Sequence, residues 1–309
     1  MADKISTRQA YGDALVELGK KDKNIIVMDA DLSKSTMTAG FKKEFPERFF
    51  NAGIAEGNLM GMAAGLALSG KTVFASTFAM FAAGRAYEII RNSIGYPHAN
   101  VKVCATHAGI TVGEDGASHQ CIEDLALMRA IPGMTVIHPA DAVSTEKLMD
   151  QIAAMNGPVY ARLGRLAIPV IYDSSADIRL GKGNVVREGS DFTVIACGLM
   201  VNEAMIAAEE LAKDGIDIRI IDMHTIKPID EEIIVKAAQE TGGIVTAEEH
   251  SVIGGLGSAV AEVVCQKAPC KMAMVGVQDR FGQSGKPPQL MEEYNITAAD
   301  IVKAVKGLK

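Results

Sequence analysis

The sequence predicts an α/β protein with two domains, each a mostly parallel sheet with helices on both faces. The chain has 309 residues, more than a single hydrophobic core usually supports. Short apolar runs alternate with segments of helical periodicity along most of its length, which is typical of parallel sheets. The alternation stops once, over residues 166–190. We therefore predict a first domain over 1–170, a linker over 171–190 and a second domain over 191–309.

Each predicted strand is a short run rich in β-branched residues, and each predicted helix carries apolar residues at a spacing of three to four. The first domain is expected to contain helix 6–20, strand 25–28, helix 55–68, strand 72–76, helix 78–94, strand 101–105, helix 122–130, strand 134–138, helix 141–155 and strand 158–162. The second is expected to contain strand 192–197, helix 201–213, strand 217–222, helix 230–240, strand 243–247, helix 256–266 and strand 271–276.

Charge and hydropathy exclude several classes of function. The formal net charge of −7 offers no footprint for a phosphate backbone, so we expect no nucleic-acid partner. The most apolar region, residues 59–83, is interrupted by Lys71, and we expect no membrane partner. The first four residues are polar and do not resemble a signal peptide, which favours a cytoplasmic protein.

One motif match is misleading. Residues 65–72, GLALSGKT, fit the phosphate-binding P-loop pattern letter for letter. That motif requires a preceding strand and a following helix, so that helix N-terminal amides meet the phosphate. Here a predicted helix precedes the glycines and a predicted strand follows them. We therefore expect a helix end and a turn, not a nucleotide site.

Two short segments carry candidate binding residues. In NAGIAEGN, residues 51–58, Glu56 opens a helix that is otherwise small and apolar. It is either an acid favoured by the helix dipole or a buried carboxylate that binds a ligand. In STFAMF, residues 76–81, Phe78 and Phe81 share one face at a spacing of three. They are either core residues or a wall for a flat heteroaromatic ring.

The segment THAGITVGEDGASHQ, residues 106–120, combines histidines and acids among glycines. It follows a predicted strand at its carboxyl end, where open α/β sheets place their ligands. His107 and His119 lie twelve residues apart without a nearby third ligand, a weak pattern for zinc, so we predict no metal site on this chain. Recognition of sugar hydroxyls fits this composition better.

These three segments, in this order and at this spacing, resemble the C-terminal half of a transketolase. The resemblance covers essentially the whole chain, because ADLSKS at residues 30–35 and FGQS at 281–284 fit as well. It implies a pyrimidine-binding domain of the thiamine-diphosphate-binding fold, followed by a transketolase C-terminal domain that serves mostly in subunit contact.

The resemblance also implies roles for individual residues. Glu56 would bond the ring nitrogen of the aminopyrimidine of thiamine diphosphate and favour its imino tautomer, a catalytic role. Phe78 and Phe81 would line the pyrimidine pocket, with Phe81 stacking, and Asp31 would join the cofactor-binding residues. Gly84 stands where the family often has a further aromatic residue.

Substrate contacts follow from the same resemblance. His119, also expected to be catalytic, and Asp115 would bond hydroxyls of the ketose donor. The sugar-phosphate site would contain Arg8, Ser35, His107 and Arg165, with Arg162 as a competitor for the position of Arg165. Guanidinium groups suit a phosphate dianion physically.

One family motif is missing from the chain. Transketolases hold Mg²⁺ and the diphosphate with a Gly-Asp-Gly motif and a downstream Asn, and GEDG at residues 113–116 falls within the substrate loop instead. The resemblance therefore implies the small subunit of a split transketolase, which transfers a two-carbon ketol unit between sugar phosphates as in the pentose phosphate pathway. Its partner would be an N-terminal-section subunit that holds most of the Mg²⁺ site, in an α2β2 assembly.

Three other interpretations remain open from the sequence. The chain could be the β subunit of a 2-oxoacid dehydrogenase E1 component, which has the same plan and cofactor. It could belong to an enzyme like 1-deoxyxylulose-5-phosphate synthase. It could also be a non-catalytic regulatory subunit, although the presence of Glu56 argues against this.

Overall fold

The structure, a computed structural model, describes residues 4–309, so the first three residues of the predicted first domain lie outside it. The strands are β1 (Lys4–Ile5), β2 (Ile25–Asp29), β3 (Phe49–Asn51), β4 (Thr72–Phe78), β5 (Val101–Thr106), β6 (Thr135–Ile137), β7 (Val159–Arg162), β8 (Ile168–Pro169), β9 (Asn184–Arg187), β10 (Phe192–Ala196), β11 (Ile218–Asp222), β12 (Thr225–Lys227), β13 (Ile244–Ser251) and β14 (Met272–Val277).

The α-helices are α1 (Thr7–Lys21), α2 (Ser33–Thr36), α3 (Ala39–Glu44), α4 (Glu56–Leu68), α5 (Tyr87–Ile89), α6 (Asp124–Arg129), α7 (Ala142–Ala154), α8 (Met200–Lys213), α9 (Glu231–Glu240), α10 (Leu256–Lys267), α11 (Pro287–Glu293) and α12 (Ala298–Gly307). Two π-helical segments, Phe81–Arg85 and Ile90–Gly95, flank α5. Single 3₁₀ turns occur at Pro46–Arg48 and Ile110–Val112.

Two mixed sheets form the framework, which confirms the predicted fold class. The first has the order β12-β6-β7-β5-β4-β2-β3 and is parallel except for β12. The second has the order β14-β13-β10-β11-β9 and is parallel except for β9. Parallel strands place their carboxyl ends at one edge of a sheet, so the loops that follow them meet there.

Successive residues of β2 point to opposite faces of the first sheet, and each face carries its own helices. Ile25 and Val27 pack in the same apolar cluster as Leu15 of α1. Met28 instead joins the cluster that contains Leu59 of α4. Burial of the strand between two helical layers explains why its first four residues are all apolar.

Two short strands tie the halves of the chain together. β1 pairs with β8, so the start of the described chain is bound to the segment that leaves the first sheet. β12, although it follows β11 of the second sheet, pairs antiparallel with β6 at the edge of the first. β9 lies within the stretch 171–190 predicted as linker and belongs to the second sheet.

The structure differs from the predicted elements mainly around residues 78–94, where a regular helix was expected. β4 runs on to Phe78, and the chain then forms wider turns in which amides bond five residues back. The amide of Ala86 donates to the carbonyl of Phe81 at 3.3 Å. Helical periodicity cannot distinguish such turns from α-helix, because the apolar spacing is nearly the same. The three-residue β3 and the short α2 and α3 were also missed.

The P-loop-like segment has the structure expected from its context. α4 ends at Leu68, two residues before the last glycine of the pattern, and β4 begins at Thr72. Gly70 adopts a φ of +92°, which favours glycine. The order is therefore helix, turn and strand, as predicted, and no helix N-terminus follows the glycines.

Candidate functional site

The candidate site lies at the carboxyl edge of the first sheet, where β2, β4 and β5 end side by side. Asp29, the last residue of β2, is fully buried and organises the loop that follows. Its carboxylate accepts hydrogen bonds from the amide of Leu32 at 2.5 Å and from the hydroxyl of Thr36 at 2.6 Å. Burial nevertheless raises its pKa above the ordinary value. This network fixes the backbone that carries Asp31 and Ser35.

Glu56 is the first residue of α4 and is 4 % exposed. Its carboxylate lies 3.6 Å from Nη1 of Arg85, beyond ordinary hydrogen-bond distance. The Arg85 side chain is 63 % exposed, so the attraction is screened by solvent. A buried carboxylate with such a weak partner can accept a hydrogen bond from a ligand.

One aromatic cluster lies beside Glu56 and consists of the rings of Phe78, Phe81, His107 and His119. The rings of Phe78 and Phe81 lie 5.8 Å apart with an interplanar angle of 17°. His107 stacks on Phe78 at 3.8 Å, and His119 presents its edge to Phe81 at 5.3 Å. The guanidinium of Arg85 lies 5.1 Å from the centroid of Phe81, which joins this cluster to Glu56. Flat rings next to a buried carboxylate suit a planar nitrogen heterocycle.

Next to the aromatic cluster lie two arginines, Arg8 and Arg165, which form a cationic group with His107 beside them. Nη1 of Arg8 donates to the carbonyl of Ser35 at 2.8 Å and lies 3.5 Å from Nε2 of His107. Burial and the charge of Arg165 lower the pKa of Arg8. Burial, Arg8 and Arg165 lower the pKa of His107 to about 3, so its imidazole is neutral at physiological pH.

This cationic group is organised in a way that suits an anion. Nε of Arg8 is buried and has no hydrogen-bond partner among residues 4–309. Arg165 donates to the carbonyl of Val112 and lies 3.4 Å from a carboxylate oxygen of Glu114. The positive charge of Arg165 makes the charged form of Arg8 less favourable, and a bound dianion would offset this repulsion.

Asp31 and Asp115 are both exposed, but their surroundings differ. Asp31 has a φ of +65° and is clasped by Asn51: Nδ2 of Asn51 donates to Oδ1 of Asp31 at 2.8 Å, and the Asp31 amide donates to Oδ1 of Asn51 at 3.0 Å. Asp115 lies in the glycine-rich loop, four residues before His119. Both acids occupy the carboxyl edge of the first sheet.

Arg162 does not lie at this site, so it is wrong as a candidate for the arginine that binds the phosphate. Its side chain is fully buried, and Nε donates to Oδ2 of Asp124 at 2.9 Å. Nη2 donates to the carbonyls of Cys121 and Glu249 at 3.1 and 3.0 Å. Arg162 therefore joins the two domains from within, and of the two arginines only Arg165 lies at the candidate site.

Models of two known domains match the chain. The pyrimidine-binding domain of transketolase matches residues 3–170, and the transketolase C-terminal domain matches residues 181–301. The chain belongs to the transketolase family. A protein of Methanocaldococcus jannaschii named as a transketolase C-terminal section is 54 % identical and covers 96 % of this chain and 94 % of its own length.

Other relatives of this transketolase chain differ in length. A subunit of a 6-deoxy-6-sulfo-D-fructose transketolase from a Clostridium species is 43 % identical over 96 % of this chain and 92 % of its own length. Human transketolase is 40 % identical, and the chain spans 50 % of its length. A solved structure described as a split-gene transketolase, an inactive β4 tetramer, is 56 % identical, covers 98 % of both chains and superimposes with a TM-score of 0.93. The chain thus corresponds to the C-terminal section of a split transketolase.

Sequence reasoning missed several residues that shape the candidate site. Asp29 could have been noticed as a charge that ends a buried strand. Asn51 and Arg85 gave no such signal, because their partners Asp31 and Glu56 lie on other elements. Among residues 4–309, no group of three His, Cys, Asp or Glu residues could hold a metal ion. No helix in the same range is long and apolar enough to cross a bilayer.

Proposed function

We propose that this chain is the small subunit of a thiamine-diphosphate-dependent transketolase that transfers a two-carbon ketol unit from a ketose phosphate to an aldose phosphate. It would act in an α2β2 assembly with a separate N-terminal-section subunit. That partner would hold the diphosphate and most of the Mg²⁺ site, since this chain lacks the Gly-Asp-Gly motif. Small-subunit relatives from other organisms support a split arrangement.

The observation that carries the proposal is the buried carboxylate of Glu56 beside the rings of Phe78 and Phe81. This combination fits an aminopyrimidine: the phenyl ring of Phe81 would offer a face for stacking, and Glu56 would offer a carboxylate acceptor for a protonated ring nitrogen. When bound, thiamine diphosphate supplies the stabilisation of a carbanion. Glu56 would hold the proton at the ring nitrogen, and the apolar start of α4 would keep water away from it.

The cationic group supports a phosphorylated substrate. Arg8 and Arg165 would bind the phosphate dianion, with neutral His107 donating one hydrogen bond. His119 and Asp115, four residues apart on one loop, would bond the donor hydroxyls and move protons at the reacting oxygen. One relative is named for apulose 4-phosphate and another for a sulfonated fructose, so the same scaffold serves different sugars.

The experiment that tests this proposal uses the chain alone and mixed with the N-terminal-section subunit encoded by the same organism. Ketol transfer from xylulose 5-phosphate to ribose 5-phosphate is measured with thiamine diphosphate and Mg²⁺. We expect transfer in the mixture only, and loss of transfer when the cofactor is omitted. Analytical ultracentrifugation of the mixture checks the α2β2 stoichiometry.

Two results would contradict the proposal. Transfer by the chain alone would mean that it holds the diphosphate without a partner. A verified complex that fails to use any ketose phosphate, but consumes pyruvate or reacts with a lipoyl domain, would assign it to another branch of thiamine-diphosphate enzymes. A complex that prefers the sulfonated fructose would leave the reaction class intact and change the donor.

A further inference from the structure

The loop that carries Asp115 and His119 is closed upon itself. We call residues His107–Gln120 the substrate loop. The amide of Gly109 donates to the carbonyl of Cys121 at 2.8 Å, which joins the two ends. Within the loop, the amides of His119 and Gln120 both donate to the carbonyl of Gly116, at 2.9 and 3.1 Å. The position of His119 therefore depends on how this closed loop is held.

Gln120 holds the loop from within. Its side chain is 3 % exposed, and Nε2 lies 3.1 Å from the carbonyl of Ile110 and 3.3 Å from that of Gly113. The same Nε2 donates at 3.0 Å to the carbonyl of Gln283 in the second domain. An amide nitrogen has two hydrogens, so three carbonyls share them in one compact junction. Gln120 thus connects both arms of the loop to the other domain.

Second-domain residues fill the space above the glycines of the loop. A Cβ on Gly116 would lie 2.5 Å from Oγ of Ser284, and one on Gly109 would lie 2.3 Å from the carboxyl carbon of Glu249. The Glu249 carboxylate also accepts the amide hydrogen of Thr111. In the opposite direction, a Cβ on Gly282 would lie 1.9 Å from Oε1 of Gln120. The backbone of the loop therefore packs directly against side chains of the second domain, and the backbone at Gly282 packs against the side chain of Gln120.

We propose that the second domain positions the substrate loop for donor recognition, and that Gln120 is the positioning residue through which it acts. This inference rests on the proposed function, because it assigns the loop to donor binding. It gives the second domain a role in the active site in addition to subunit contact. Gln120 itself would not touch the substrate; it would fix the backbone of His119 next to it.

A first test needs no enzymatic activity. Hydrogen–deuterium exchange is measured on the intact chain for wild type, Gln120→Ala and Gly282→Ala. Loss of the junction should speed exchange of the substrate-loop amides about five- to thirtyfold. Gly285→Ala is the matched control, since its Cβ would meet only the side chain of Leu290, at 2.9 Å, and no atom of the substrate loop. Circular dichroism identifies any variant that fails to fold.

A second test uses the assembled enzyme. In both variants, donor kcat/KM should fall about ten- to hundredfold, as expected when a reacting group is displaced by about 1 Å. Thiamine diphosphate affinity should change less than donor kcat/KM, because Glu56 and Phe81 lie outside the loop. In a Gln120→Ala background, Gly282→Ala should add nothing further, since both act at one contact. A merely structural role would predict additive losses and weaker cofactor binding.

The outcomes separate this inference from the proposed function. Faster loop exchange in Gln120→Ala and Gly282→Ala, with Gly285→Ala like wild type, supports the positioning role even if the wild-type complex transfers no ketol. Unchanged loop exchange in folded Gln120→Ala overturns it, whatever the activity. An equal loss of donor kcat/KM in Gly285→Ala would also overturn it.

Discussion

Arg85 contacts both Glu56 and Phe81, so one exposed guanidinium bridges the carboxylate and the aromatic wall of the site. Its Nη1 lies 3.6 Å from Glu56, and its central carbon lies 5.1 Å from the centroid of Phe81. The π-helical turn Phe81–Arg85 places these two side chains on the same side. The Arg85 side of this ion pair is mostly exposed to solvent, so the attraction is screened. A ring nitrogen of a heterocyclic ligand can therefore replace Arg85 as the partner of Glu56 at a small cost in free energy.

Substitution Glu56→Gln should lower ketol transfer by the assembled enzyme about 100- to 10,000-fold, the range typical of removing a general acid or base. The amide keeps the size of the side chain but cannot share a proton with a ring nitrogen. Initial rates with saturating thiamine diphosphate and Mg²⁺ measure the effect. Glu88→Gln, a change at an exposed position of the neighbouring α5, serves as the control. Full activity of Glu56→Gln would exclude the catalytic role.

Substitution Arg8→Met should weaken the use of phosphorylated donors selectively. Loss of one charge-assisted contact to phosphate corresponds to about a ten- to hundredfold rise in KM. An unphosphorylated ketose should be used as well as by wild type, because the aromatic cluster and Glu56 are unchanged. Arg91→Met, at an exposed position outside the cationic group, provides the comparison. Equal losses for both kinds of donor would contradict a phosphate contact.

The alternation of strands and helices was predictable because the two kinds of element differ in the spacing of their apolar residues. Buried strands are short apolar runs, whereas helices carry apolar residues every three to four positions. Glu56 and the loop over residues 107–120 could be proposed as site elements, because a carboxylate buried on an apolar helix is costly unless it has a partner and the loop follows the carboxyl end of a strand. The irregular turns after Phe78 were not predictable, because their spacing imitates α-helix.

Contacts between distant parts of the chain were beyond sequence reasoning. Thr111 and Glu249 are 138 residues apart, and only the relative placement of the two sheets brings them together. Arg162 and Arg165 look equivalent in sequence, three residues apart. Arg162 ends β7 and points into the domain junction, whereas Arg165 lies beyond the strand and is partly exposed.

This difference between the two arginines predicts opposite phenotypes. Arg162→Met leaves Asp124 buried without its cation, and removal of one partner of a buried ion pair destabilises proteins by about 3–5 kcal/mol. Arg165→Met should leave the free energy of unfolding within about 0.5 kcal/mol of wild type and raise the KM of the phosphorylated donor. Urea denaturation and donor kinetics measure the two effects. A stable Arg162→Met variant with a raised KM would return Arg162 to the phosphate site.

Burial of Asp222 should give this side chain a contribution to stability that is present in acid and is lost towards mild alkali. Its side chain is fully buried, Oδ2 accepts a hydrogen bond from the Tyr172 hydroxyl at 2.8 Å, and Oδ1 has no partner among residues 4–309. Burial raises the pKa of Asp222 from 3.8 to about 8. The folded chain therefore holds this proton more tightly than the unfolded chain. Its contribution to stability is complete below about pH 4 and is lost as the pH rises towards 8.

Asp222→Asn should remove this dependence, because asparagine keeps an acceptor for Tyr172 and cannot ionise. One proton corresponds to a slope of about 1.4 kcal/mol per pH unit, and the variant should lose up to that much of the slope between pH 5 and 8. Glu249, whose pKa burial raises to about 7, would contribute part of the remaining slope in the same direction. Urea unfolding of the isolated chain at a series of pH values measures the slope, with the exposed Asp279→Asn as control. If Asp222→Asn and wild type showed the same slope, Asp222 would have to be ionised in the folded chain, with a cation or water that satisfies Oδ1.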